Sequence, residues 1–385
     1  MIIKSLQLKD FRNYESLELS FRDGINILYG DNAQGKTNIL EAIYLLATTK
    51  SHRGAKDKEV VRFGADAAHI RGEVLRDGAT WRVDMHLQSG KSKAIAIDGQ
   101  RIKKVSELVG RIPTVFFSPE DLSIVKEGPS ERRRFMNMEL CQLDESYLYN
   151  LTRYSQVIQQ RNHLLKDIYE HPEQKPLLDV EDRQLVVYGS EIIRFRQIFL
   201  KQLGEIIAPV HEKLTGGEEA LEIVYEPYAA MDDLEHALAA ARERDVILKQ
   251  TTVGPHKDDF AFYVRRKDAP DRAVDIRKYG SQGQQRTASL SLKLAEIRII
   301  RDSKKENPVL LLDDVLSELD GSRRQALLNE IGDIQTIITC TGYDEFVNSR
   351  LTIDRLLQVT NGSVAEAAAP DTDDKPQEQP VLPQE

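Results

Sequence analysis

Residues 30 to 37, Gly30-Asp31-Asn32-Ala33-Gln34-Gly35-Lys36-Thr37, leave this chain few folds to choose from. They spell G-x-x-x-x-G-K-T between an apolar run, Ile25 to Tyr29, and a helical run, Asn38 to Leu46. A short buried strand feeding a Gly-rich turn and then a helix is the geometry of a phosphate-cradling loop. Backbone N–H groups can wrap phosphate oxygens there, glycine permits close approach, and the helix N-terminus adds positive potential. The pattern assigns the terminal phosphates to Lys36 and a divalent cation, Mg2+, to the Thr37 hydroxyl. Gly30 to Asn38 form the predicted nucleotide cradle, with ATP and Mg2+ as its expected cofactors.

Such a loop needs a second metal ligand at the end of a neighbouring strand. Leu310-Leu311-Leu312-Asp313-Asp314 supplies it, with Asp313 toward Mg2+ and Asp314 placed to polarise an attacking water. Taken alone, the two acids also fit a helix N-cap beside a solvent-facing carboxylate. The spacing is informative, because about 275 residues separate Thr37 from Asp313. In compact nucleotide kinases and GTPases the two motifs stand much closer. One core is therefore expected to be split by a large insertion, as in SMC-type heads, which this arrangement resembles. Very apolar short strands alternating with helices predict a parallel sheet covered on both faces. Helical periodicity runs from about Arg132 to Gly216, broken at His171 to Pro176, and predicts a helical hairpin or small lobe without the sustained heptads of a coiled coil.

A third element, Tyr279-Gly280-Ser281-Gln282-Gly283-Gln284-Gln285-Arg286, precedes a helix. It resembles the S-G-G-Q signature of ABC-type ATPases, with Gln282 in place of the first glycine. In that fold Ser281, Gly283 and Gln284 would serve the γ-phosphate bound by a second subunit, so that ATP joins two heads.

Composition narrows the classes further. Hydrophobic residues make up 41% and charged residues 30%, enough for a sizeable core. No run approaches the ~20 apolar residues of a membrane-spanning helix. The start, MIIKSLQLKDFRNY, does not read as a secretory leader. Only Cys141 and Cys340 occur, so a disulfide framework or structural zinc site is not expected, and a reducing cytoplasm fits. The net charge of −9 is uneven: Asn361 to Glu385 holds six acids and one lysine. With four prolines and little apolar surface, that segment reads as a disordered acidic tail. The body is nearly neutral, so local basic clusters could still face a polyanion.

Together these stretches resemble the RecF family of bacterial DNA replication and repair ATPases, over essentially residues 1 to 360. The resemblance is carried by Leu8 to Tyr14, the loop through Asn38, Lys50 to Arg53, Phe117 to Leu122, Gly254 to Asp259, Gly280 to Thr287 and Leu310 to Asp320. It implies an α/β ABC/SMC-type P-loop ATPase head split by a helical insertion lobe. The expected divisions are 1–130 and 217–360 for the two halves of the head, 131–216 for the lobe and 361–385 for the tail. It further implies Lys36 and Asp314 as catalytic residues, Thr37 and Asp313 on Mg2+, and Arg12 near the nucleotide. Ser317-Glu318-Leu319-Asp320 matches the loop that crosses the dimer interface.

The implied activity is weak, DNA-stimulated ATP hydrolysis. The implied partners are a second copy of the chain, double-stranded DNA at gaps or junctions, a RecR-type mediator and, indirectly, RecA, in the cytoplasm near the nucleoid. Two rival classes remain: the nucleotide-binding subunit of an ABC transporter, and a non-enzymatic DNA-binding scaffold. The transporter's switch histidine is missing, since Thr339-Cys340-Thr341-Gly342 stands there, and intact Lys36, Asp313 and Asp314 weigh against the scaffold.

Two groups of residues stay open. His256, Asp258 and Asp259 in Gly254 to Asp259 could ligate a metal or belong to a Gly-Pro turn. Candidate DNA contacts are Lys50, Arg53, Lys56, Lys58, Arg62, Arg101, Lys103, Lys104 and Arg132-Arg133-Arg134. With the single Trp81 and few aromatics, backbone contact to duplex is expected rather than base stacking.

Overall fold

The computed structural model describes residues 1–168, 170–342 and 352–367. Its central sheet has the order β15-β14-β3-β13-β12-β8. The strands are β3 (Ile25–Tyr29), β8 (Thr114–Phe117), β12 (Val309–Asp313), β13 (Thr336–Cys340), β14 (Arg355–Thr360) and β15 (Ser363–Glu366), all parallel except β15. Strands from both ends of the chain alternate across it, so neither half closes the sheet alone. A second, antiparallel sheet has the order β2-β1-β4-β5-β6-β7. It contains β1 (Ile2–Phe11), β2 (Tyr14–Ser20), β4 (Ala67–Arg76), β5 (Ala79–Gln88), β6 (Ala94–Ile97) and β7 (Gln100–Arg101).

The helix α1 (Lys36–Thr48) lies between these two sheets and is buried along nearly its whole length. Its Ile39, Leu40 and Ile43 pack with Leu6 and Ile70 on one side and with Leu311 and Ile337 on the other. The period-2 rule does the sorting. Leu311 of β12 faces α1, whereas Leu310 and Leu312 join a second core with α8 (Gln282–Lys304). This is why the strand Val309 to Leu312 has no polar position.

The helical stretch consists of α2 (Leu122–Lys126), α3 (Pro129–Leu143), α4 (Glu145–Asp167) and α5 (Leu178–Leu214). At ~1.5 Å per residue the 37 residues of α5 span roughly 55 Å. This lobe is not sealed off at residue 216. Leu200, Leu203 and Ile207 of α5 share one core with Leu292 and Ile299 of α8. The lobe also recruits a three-stranded sheet, β9 (Glu219–Glu226), β10 (Asp259–Arg266) and β11 (Ala269–Asp275), and α6 (Leu234–Leu248). Fully buried Arg161 of α4 joins these helices: it donates to Asp182 of α5 at 2.6 Å and to Asp245 of α6 at 2.7 Å. The remaining α-helices among the described residues are α7 (Ile276–Tyr279) and α9 (Gly321–Ile331). Among the described residues, no helix is long and apolar enough to cross a membrane.

The tail boundary expected at 361 is corrected. Residues 363 to 366 form β15 against β14, joined by Asn361 and Gly362 at φ 48° and 76°. Positive φ at both central residues is what an Asn-Gly hairpin turn requires. The rest of the expected tail, 368–385, lies outside the described residues.

Of the arginine run, Arg132 is corrected as a nucleic-acid contact, whereas Arg133 is half-buried and Arg134 exposed. Arg132 is buried, bidentate to Asp259 at 2.6 and 2.9 Å, and donates to the carbonyls of Ile124 and Glu127. Arg133 donates to the Asp258 carbonyl, and Arg134 to the Ser51 and His52 carbonyls. Arg62 is tied to Asp10 at 2.7 Å, whereas Lys50, Arg53, Lys56, Lys58, Arg101, Lys103 and Lys104 are exposed.

Gly254 to Asp259 resolves into a buried polar hub. The Thr251 carbonyl can only accept, so His256 Nε2 carries its proton at 3.0 Å, and Nδ1 accepts from the Tyr154 hydroxyl at 2.8 Å. Burial lowers the His256 pKa to about 4, which keeps the ring neutral. Fully buried Asp258 takes Arg196 Nη1 at 2.9 Å, the Tyr228 amide at 2.9 Å and the Tyr225 hydroxyl. These partners consume the donors a metal would need. Among the described residues, no group of three or more His, Cys, Asp or Glu is arranged to hold an ion.

Candidate nucleotide site

The predicted cradle stands where β3 ends and α1 begins. Gly35 sits at φ 112°, and a Cβ there would lie 2.5 Å from Asn13 Nδ2 and 2.7 Å from the Tyr14 hydroxyl. Only glycine tolerates both the conformation and the approach. The two neighbours hold the loop: Tyr14 donates to the Gly35 carbonyl at 3.0 Å, and Asn13 Nδ2 to the Gln34 carbonyl at 3.1 Å. Asn38 Nδ2 donates to Asn13 Oδ1 at 2.8 Å. From the other side, the Asn361 amide donates to Gln34 Oε1 at 2.6 Å and the Gly362 amide to the Gln34 carbonyl at 3.3 Å. The loop is therefore clamped by the β1–β2 turn and by the β14–β15 turn. Buried Lys36 bends back over it, donating to the Gly30 and Asp31 carbonyls at 2.7 and 2.8 Å.

The two distant motifs meet. Thr37 Oγ1 donates to Asp313 Oδ1 at 2.7 Å, across 276 positions of sequence. The strand order makes this possible, because β13 alone separates β3 from β12. Thr339 at the end of β13 donates to the same Asp313 oxygen, also at 2.7 Å. Asp314 follows at φ 56°, with its amide shared between the Thr339 carbonyl and hydroxyl at 3.2 and 3.1 Å. Ser317, in the predicted interface loop, donates to the Asp314 carbonyl at 2.8 Å. Among the described residues nothing hydrogen-bonds the buried Asp314 Oδ1. A hydroxyl against a carboxylate, with a second, unpartnered carboxylate oxygen on the adjacent residue, is a hard oxygen donor set that fits Mg2+. Thr37 and Asp313 would hold the ion, which would neutralise phosphate charge.

Arg12, expected near the nucleotide, is engaged by protein groups. Its Nε and Nη2 clasp the Glu41 carboxylate at 2.8 and 2.7 Å, and its Nη1 reaches the Glu59 carbonyl at 2.8 Å. Glu41 lies one helical turn after Thr37, fully buried, and also accepts from Ser51 at 2.5 Å. Burial pushes the Glu41 carboxyl up, but hydrogen bonds from Arg12 and Ser51 outweigh it and hold its pKa below the ordinary value. Arg12 therefore braces α1 beneath the loop.

Ser281 caps α8, accepting from the Gln284 amide at 3.2 Å, while Gln284 Oε1 accepts from the Ser281 amide at 2.9 Å. This reciprocal pair is a capping box. Gln284 Nε2 is held by Glu219 at 2.8 Å. Ser281, Gln282 and Gly283 are exposed, and the bonds of Ser281 and Gln284 go to one another and to Glu219, away from the Gly30–Thr37 loop. Asn13, Tyr14, Thr339 and the Asn361-Gly362 turn join the site without belonging to its sequence motifs. The Asn-Gly pair was the one of these that carried a local signal.

Comparison with known proteins points to one family. The RecF/RecN/SMC N terminal domain matches residues 2–364. The DNA replication and repair protein RecF of Agathobacter rectalis is 56% identical over 366 residues, covering 94% of this chain and 99% of that protein. Its namesake from Lachnospira eligens is 54% identical over 366 residues with the same coverage. A solved structure of the recombination mediator protein RecF-ATP in the RecFOR pathway is 35% identical, with a TM-score of 0.87 over 95% of this chain and 97% of that one. An Smc head bound to the C-winged helix domain of ScpA, 14% identical with a TM-score of 0.56, shares the fold alone. The architecture split between two ends of the chain, the loop joined to Asp313 and these matches lead to one assignment: this chain belongs to the RecF family.

Proposed function

We propose that this protein acts in DNA replication and repair as an ATP-gated clamp. Two heads close head to tail on ATP, recognise duplex DNA at gaps or single-strand junctions, and with RecR- and RecO-type partners promote RecA loading. The carrying observation is the closure of the site across the chain, Thr37 to Asp313 at 2.7 Å, with the unpartnered Asp314 carboxylate oxygen beside it. ATP supplies the γ-phosphate that both heads would grip. The loop amides and Lys36 of one head bind it, and the exposed Ser281 cap of the other head offers amides at a helix N-terminus. Asp314 would orient the attacking water.

Slow hydrolysis then works as a timer, because ATP shifts the open–closed equilibrium only by its differential affinity for the closed state. Exposed Lys50, Arg53, Lys56 and Lys58 are the phosphate contacts this reading favours. The proposed location is the cytoplasm, at the nucleoid. Light scattering on wild type and Asp314→Asn, with ADP, ATP, and ATP plus gapped duplex, tests the reading. Dimers only with ATP, persisting in the variant and tightened by DNA, are expected. A monomer indifferent to nucleotide and DNA refutes the clamp.

A further inference from the structure

We propose that Thr339 is a positioning residue for this site, fixing where both carboxylates, Asp313 and Asp314, stand relative to the phosphate loop. The inference rests on the reading of Thr37 and Asp313 as the Mg2+·ATP site. Thr339 is 1% exposed and lies directly opposite Asp313 in the parallel ladder. Its hydroxyl has one proton to give. Asp313 Oδ1 at 2.7 Å is far better placed to take it than the Leu312 carbonyl at 3.5 Å. The Thr339 hydroxyl oxygen in turn accepts from the Asp314 amide at 3.1 Å, and the Thr339 carbonyl accepts from that amide at 3.2 Å.

One side chain thus does two things at once. It supplies the second donor to the carboxylate oxygen that Thr37 also binds, and it pins the backbone of Asp314. That backbone is left-handed at φ 56°, a conformation a non-glycine residue keeps only when its surroundings hold it. A group must donate and accept at the same short range to do both, and a hydroxyl does. Valine has nearly the same shape as threonine and can do neither. The position is two residues before Thr341-Gly342, where the switch histidine of transporters is absent. In this chain the end of β13 acts on the carboxylate of Asp313 and the backbone of Asp314.

The test compares Thr339→Val and Thr339→Ser with wild type, reading fluorescent ATP-analogue binding as Mg2+ is titrated, binding in EDTA, and single-turnover hydrolysis. In Thr339→Val the Mg2+ concentration for half-maximal tight binding is expected to rise about 10–100-fold, as for other groups that orient metal ligands. Its hydrolysis rate falls, affinity in EDTA stays at the wild-type value, and Thr339→Ser restores all three readouts. A valine variant that titrates like wild type overturns the proposal. So does a loss of binding equal in EDTA and Mg2+ that serine does not restore, since that marks packing alone. Wild type indifferent to Mg2+ instead overturns the underlying reading of Asp313, and the proposal falls with it.

Discussion

Replacing Arg12 by methionine separates a brace beneath the loop from a direct contact to nucleotide. In the folded protein the Glu41 carboxylate is fully buried and takes three donors: Arg12 at 2.8 and 2.7 Å, and Ser51 at 2.5 Å. Methionine removes the two charged ones and leaves a buried carboxylate with Ser51 alone. Breaking a buried pair from one side costs about 3–5 kcal/mol, because the remaining charge is uncompensated. Stability should therefore fall by about that amount near neutral pH.

The pH dependence has a definite sign. In wild type the folded Glu41 pKa is depressed, so its contribution is present above the unfolded value and lost as pH falls through the folded one. In the variant, burial is opposed only by the Ser51 hydrogen bond and the smaller influence of His52, and the folded pKa is expected to move above the ordinary value. Acidification then protonates Glu41 and relieves the penalty. The stability gap between wild type and Arg12→Met should narrow from about pH 7.5 to about pH 5. Urea titrations followed by the single Trp81, in the sheet that packs on α1, measure it. A gap below about 1 kcal/mol at the higher pH, or one that does not change with pH, refutes the reasoning. Unchanged stability with lost ATP affinity would return Arg12 to the nucleotide. Arg12→Lys keeps the charge without the two-pronged grip and should fall between the two.

Lys36→Met should abolish ATP binding and closure in a fluorescent-nucleotide titration with light scattering, and unchanged ATP-driven dimers would contradict the loop assignment. Ser281→Arg should bind nucleotide normally yet stay monomeric; normal dimers would sink the composite site. His256, neutral with a folded pKa of about 4 against ~6.5 unfolded, makes stability fall as pH drops below about 6.5. At about pH 5 this amounts to about 2 kcal/mol. His256→Gln should flatten that part of a melting-temperature profile, and an unchanged slope would place the titration elsewhere.

The sequence is legible where the information is local. Gly35-Lys36-Thr37 between an apolar strand and a helix specifies its own backbone, because glycine's φ and the 2- and 3.6-residue periods act over neighbouring residues. The same holds for the double-sided strand Val309 to Leu312. Asn361-Gly362 carried an equally local turn signal, yet the acidic composition around it drew the tail boundary too early.

What tertiary structure decided is partnership. Arg12 has a charge suited to a phosphate, and the packing of α1 under the β1–β2 turn pairs it with Glu41. Arg132-Arg133-Arg134 looks like a basic stripe, yet Arg132 is buried against Asp259, while Arg133 and Arg134 also reach main-chain carbonyls from distant segments. Gly254 to Asp259 could have been a metal loop until Arg196, Tyr154 and Tyr225 were brought to it. Thr339 had no pattern of its own; its role exists because the sheet order seats β13 between β3 and β12. Propensity and period fix the conformation of contiguous residues. Which charges meet across 276 positions of chain depends on the order of strands in a sheet, and that order is settled only when the whole core closes.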